Sequence, residues 1–111
     1  MTHPEDRTLD RLFGALSDPT RRAILAQLVG GEATVSELTA PFPISMPAIS
    51  RHLNILEDAG LIDRVRDGQH RRVRLNRTAF DRGEAWFRNY ARFWEQGFER
   101  LASHLEQKDP K

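Results

Sequence analysis

The chain has no cysteine in its 111 residues. That removes disulfides, thiol redox sensing and thiolate metal ligation together, and it makes the cytoplasm the expected compartment. Lysine is nearly missing as well: Lys108 and Lys111 are the only two, so arginine carries almost all the positive charge. No apolar run approaches the roughly 20 residues a membrane-spanning helix needs, and no membrane partner is expected. The N-terminal stretch Met1 to Thr8 is polar and partly acidic, unlike a secretory signal. There is no glycine-rich phosphate loop, no thiol nucleophile, and no histidine convincingly paired with a carboxylate, so catalysis is not expected. Net charge is only +1, and bulk charge therefore does not announce nucleic acid.

The distribution of charge does. Between Leu61 and Arg77 lie Arg64, Arg66, Arg71, Arg72, Arg74 and Arg77 against Asp63 and Asp67, a local excess of four positive charges on a near-neutral chain. A basic patch on a neutral body is the electrostatic footprint of phosphate contact. Apolar content of 39% and charged content of 30% fit one soluble domain over residues 1–111 with a modest core.

Periodicity orders the elements. Leu9, Leu12, Phe13 and Leu16 step by three and four, one apolar face of a helix. Asp18 is placed to cap a second helix with Pro19 at its first position; Ile24, Leu25 and Leu28 carry it to Gly30-Gly31. Thr34 and Glu37 form a capping box for a short third helix that buries Val35 and Leu38. After Phe42-Pro43-Ile44, Ser45 caps a fourth helix with Ile49, Leu53 and Leu56 inward and Gly60 beyond its end. Leu61 to Leu75 reads as a hairpin turning at Asp67-Gly68, with Ile62 and Val65 before the turn and Val73 and Leu75 after it. A long helix follows over about 79–106. The fold class is mainly α with a small β-hairpin, in the order α-α-α-α-β-β-α: a winged helix-turn-helix, with the helix-turn-helix at 34–59 and the wing at 61–75.

That order places one helix in a DNA major groove with a positive arm beside it. On the fourth helix the face opposite the core shows Pro47, Ser50, Arg51 and Asn54, with Met46 at the leading edge and Ser45 at the N-terminus, where free N–H groups and the helix dipole favour phosphate. Arg51 can fork onto guanine, and Asn54 can bond adenine. The wing contributes Arg66, Gln69, His70, Arg71 and Arg72, with too few acids nearby to pair all its arginines. The bland alternative is a solvated helix face and a salt-bridged surface hairpin. A rival function is a winged-helix protein-interaction module without DNA binding.

Phe80, Trp86, Phe87, Tyr90, Phe93, Trp94 and Phe98 all fall in the last helix and cover close to half its circumference, more than the stripe of about 100° that one neighbour needs. Leu101 and Leu105 extend it. A homodimer interface is expected, built from Phe87, Tyr90, Trp94, Phe98, Leu101 and Leu105. An aromatic ligand pocket is the rival reading, and the two are compatible.

The motifs resemble those of ArsR-type (ArsR/SmtB) transcriptional regulators. Asp18-Pro19-Thr20-Arg21-Arg22-Ala23-Ile24-Leu25 is similar to the family's D-P-x-R-x-x-I-L signature, and Ser45-Met46-Pro47-Ala48-Ile49-Ser50-Arg51-His52-Leu53 to its S-x-P-A-V-S-x-H-L recognition helix. The resemblance covers roughly Leu9 to Asn76. It implies a homodimeric repressor of an operator inverted repeat, and it adds Leu9, Leu12, Phe13 and Leu16 of the first helix to the dimer interface. Many relatives carry glutamine where Met46 stands. The family's metal sensors use a cysteine pair, or an Asp/His set on the last helix; here Asp81 is followed by Arg82 and Gly83, and His3, His52, His70 and His104 are scattered without ligand spacing. The chain therefore resembles the metal-independent branch, with no cofactor expected and no effector assigned. His52 reads as a hydrogen-bonded structural residue.

Overall fold

The computed structural model describes residues 4–108. His3 falls outside them. The elements in chain order are α1 (Pro4–Leu16), α2 (Pro19–Leu28), β1 (Ala33–Thr34), α3 (Val35–Thr39), α4 (Met46–Asp58), β2 (Ile62–Asp67), β3 (His70–Leu75) and α5 (Arg77–Lys108). The contacts divide the chain into two units, one up to Phe80 and one from Asp81 onward, where the sequence reads as one domain.

The first unit is built on local signals. Asp18 caps α2 by accepting the Arg21 N–H at 3.0 Å, and Thr34 and Glu37 close the expected capping box on α3. Ser45 caps α4 through the Ala48 N–H. At the far end of α4, Gly60 takes φ +76°, and the Leu61 N–H reaches back to Leu56 O at 3.0 Å. That left-handed stop turns the chain into β2. Ile24, Leu38, Ile49, Leu53, Leu56, Leu61, Ile62 and Val73 are the large fully buried side chains, and all lie in this unit.

Two features differ from the hairpin expected. A third strand is present: β1 pairs antiparallel with β3, giving the order β1-β3-β2. At two residues, β1 is too short for any alternation to show. The turn also sits one residue later. Asp67 pairs with His70, so the loop residues are Gly68 and Gln69, and Gly68 alone has positive φ, at 61°. Glycine at the first of two loop positions is the type II′ arrangement, whose twist matches the strands.

The register sorts the strand residues by face. Ile62 pairs with Leu75, Arg64 with Val73 and Arg66 with Arg71, and side chains alternate along a strand. Arg64 therefore shares the core face with Ile62 and Val73, while Val65 stands on the other face opposite Arg72. Asn76 closes the unit. Its N–H bonds Leu61 O at 2.8 Å, and its Oδ1 accepts the Thr78 N–H at 2.9 Å, which starts α5 two residues before the expected position.

The second unit is the continuation of α5. Trp86 stacks on Tyr90 with centroids 4.9 Å apart, and Tyr90–Trp94 and Trp94–Phe98 follow at 5.8 and 5.9 Å. These i,i+4 steps form one aromatic ladder. Within this unit Arg88 and Glu84 form an i,i+4 ion pair.

Candidate nucleic-acid interface

On α4, Ser45, Met46, Pro47, Arg51 and Asn54 are exposed and Ser50 is half-buried, while Ile49, Leu53 and Leu56 are buried. The helix is thus two-faced as its spacing requires. On the wing, Arg66, Gln69, His70, Arg71 and Arg72 are all exposed. A groove of about 880 Å³ runs between these elements. It brings together Met46 and Ser50 of α4 with Arg66, Gln69, His70, Arg71 and Arg72 of the wing. Ser45, Pro47, Arg51 and Asn54 do not line it; they lie on the rest of the exposed face of α4.

Sequence reasoning missed five contributors. Thr34, Val35 and Ser36, where β1 passes into α3, also line the groove. Glu32 reaches Arg72 at 4.0 Å. Arg64 turns onto α4: its Nη2 donates to Asn54 Oδ1 at 2.7 Å and lies 3.4 Å from Ser50 O. Its Nε lies 3.8 Å from Glu57 Oε2. The period-two step from Ile62 to Arg64 was the available signal for that inward turn.

The wing arginines are less alike than their sequence clustering implies. Arg64, Arg72 and Arg74 have carboxylate neighbours in Glu57, Glu32 and Asp63, so more acids lie nearby than expected. Among the described residues Arg66 and Arg71 have no ion pair, and they face each other directly across the hairpin. Like charges at paired positions disfavour the sheet. An anion between them would remove that repulsion.

Behind α4 lies a second polar cluster. Arg21 Nε donates to Ala15 O at 2.8 Å and its Nη2 to Gly14 O at 3.3 Å, capping the end of α1. Arg22 Nη1 does the same for Leu16 O at 2.7 Å. Arg21 Nη1 also lies 3.2 Å from His52 Nδ1. A guanidinium only donates, so Nδ1 is the acceptor in this contact. Asp18 Oδ2 stands 3.8 Å from the same nitrogen. The fold brings them together across two helices, and the interposed arginine makes the contact structural. The backbone hydrogen bond from Arg21 holds the Asp18 carboxyl below its ordinary range; the Arg21 charge and the Thr20 backbone add to this against desolvation.

In α1, Leu12 is only 3% exposed and belongs to the core, with Leu9 and Leu16 packed partly against it. Of the four α1 residues expected at an interface, Leu12 is buried within the unit, Leu9 and Leu16 are half-buried, and Phe13 is exposed. On α5 the expected residues are all exposed, Phe87 and Phe98 each at 62%. Among the described residues no group of three or more His, Asp or Glu gathers where a metal could be held, and no helix is long and apolar enough to cross a membrane.

Residues 16–65 match the family model described as a helix-turn-helix domain. Over 82 residues the chain is 43% identical to the transcriptional repressor SdpR of Bacillus subtilis (strain 168), covering 74% of this chain and 91% of that one. Among solved structures it is similar to a crystal structure of an ArsR family transcriptional regulator, at 39% identity and a TM-score of 0.76 over 85% of this chain and 95% of that chain. It is also similar to the ArsR-like transcriptional regulator from Rhodococcus sp. RHA1, at 30% identity and a TM-score of 0.77 over 95% and 96% of the two chains.

Proposed function

The chain belongs to the ArsR family of helix-turn-helix transcriptional regulators, and from that premise we propose that it is a transcriptional repressor that binds operator DNA as a homodimer. The family regulates transcription and does not catalyse a reaction. The observation that carries the reading is the groove that sets Met46 and Ser50 of α4 beside Arg66 and Arg71. A helix with polar, exposed side chains enters the major groove, and the wing arginines meet phosphate.

In this reading Met46, Ser50, Arg51 and Asn54 face base edges, with Met46 offering only apolar contact such as a thymine methyl. Ser45, Pro47 and the α4 N-terminus lie against the backbone; Gln69, His70, Arg66, Arg71 and Arg72 follow the flanking DNA. A two-fold dimer presents two such helices, so the operator is an inverted repeat with half-sites about 34 Å apart or a multiple of that. The protein acts in the cytoplasm and needs no cofactor. Its releasing signal is not a metal ion.

The test is fluorescence anisotropy on labelled duplexes from the chain's own promoter, with footprinting of the bound site. Steeply salt-dependent binding with symmetric protection supports the reading. Failure to bind any such duplex above unrelated DNA would favour the winged-helix interaction module, and a single half-site saturated by one chain would remove the dimeric mechanism.

A further inference from the structure

Asn54 stands on the exposed face of α4, and a free asparagine there would read adenine, giving its N–H to N7 and accepting from N6. Its carboxamide is not free. Arg64 Nη2 lies 2.7 Å from Asn54 Oδ1. Arginine has no acceptor, so the atom it meets must be the oxygen, and the bond is charge-assisted. The guanidinium is itself fixed. Arg64 stands on the core face of β2 opposite Val73, its Nη2 also points at Ser50 O at 3.4 Å, and Glu57 lies 3.8 Å from its buried Nε.

We propose that Arg64 locks the Asn54 carboxamide with its oxygen turned to the wing and its N–H groups outward, making Asn54 a donor-only reader that selects guanine over adenine. The inference rests on the DNA-binding reading above. With a cation beside the oxygen, the N6 amino group of adenine meets a second donor at the place where it needs an acceptor. In the major groove only guanine shows two adjacent acceptors, O6 and N7, and no donor between them. Arg64 is then a positioning residue. It acts on base choice through Asn54, from a strand that sequence reasoning assigned to phosphate contact.

Selection of bound duplexes from a random library, run with the wild type and three variants, tests this. The wild type should select guanine at one position of each half-site, by about ten-fold over adenine, and Asn54→Ala should erase that preference at the same position. Arg64→Met frees the amide to turn over and should raise adenine there to near parity, leaving other positions unchanged. Asn54→Asp retains the partner for Arg64 and so keeps the fold, but has no donor; it too should lose the guanine preference. Thermal melting of each variant separates misfolding from altered reading, and the wild type's own choice between guanine and adenine at the Asn54 position answers the question even where Arg64→Met unfolds. Selection of adenine by the wild type at the Asn54 position would overturn the proposal. So would an Asn54→Ala variant that binds all sequences more weakly without changing their order, which would make the amide a phosphate contact. A folded Arg64→Met variant with unchanged base order would overturn it as well. A wild type that enriches no sequence at all would instead sink the DNA-binding reading, and this inference with it.

Discussion

At the scale of single residues, the joint between α1 and α2 shows how far sequence signals reach. Asp18 before Pro19 announces a helix cap, and it is one. His52 reads as structural from its place beside the inner face of α4, and it accepts from Arg21. That Arg21 would span Gly14, Ala15 and His52 was not legible, because it depends on the packing of α4 against α1 and α2, which no local pattern encodes. Asp18→Ala should destabilise the fold at neutral pH. Because the carboxyl sits below its ordinary range when folded, its contribution is complete above the ordinary carboxylate value and disappears as pH falls through the lowered one. The stability gap between wild type and variant, measured by urea unfolding, should be widest near pH 7 and close toward pH 3. A gap that is unchanged or wider at pH 3 would show that the carboxylate charge is not what matters.

At the scale of elements, the helices were legible and the sheet was not fully so. Capping residues and three-four spacing set α2, α3 and α4 within a residue or two, since those signals act over one or two turns. The strand β1 and the register of the hairpin depend on partners far along the chain, and Arg64 hid its inward direction among similar neighbours. The clustering of arginines located the wing correctly and overstated its free charge. Replacing Arg66 and Arg71 together by alanine should weaken DNA binding across all sequences and reduce the log–log salt slope by about two, close to one for each phosphate left without its arginine. The same variant should melt no lower than the wild type, because cross-strand repulsion is relieved. Anisotropy titrations at several salt concentrations check the first part, and thermal unfolding of the free protein the second. A variant that binds normally at physiological salt would misplace the wing.

At the scale of the whole molecule, association follows from what α5 leaves uncovered. Phe87, Tyr90, Phe93, Trp94, Phe98, Leu101 and Leu105 are all about half or more exposed in the single chain, and large exposed apolar patches mark interaction surfaces. Sedimentation at micromolar concentration should give twice the chain mass, and Phe87→Ser with Phe98→Ser should return a monomer; a wild-type monomer would remove the homodimer and the inverted repeat together. Zinc, cobalt or nickel at stoichiometric levels should leave a preformed protein–DNA complex intact by anisotropy, and chelator-reversible release by any of them would show a sensor that neither the histidine spacing nor the described side-chain clusters reveal. The aromatic ladder has a further, spectroscopic consequence. Both tryptophans of the chain, Trp86 and Trp94, stand in it, so all tryptophan emission originates beyond Phe80 and none from the helix-turn-helix or the wing. Dilution through dissociation should shift the emission maximum to the red, while far-ultraviolet circular dichroism, dominated by helices throughout the chain, changes little. Followed during heating, the two signals would report different parts of the same molecule, and any gap between their midpoints would measure how independently those parts come apart.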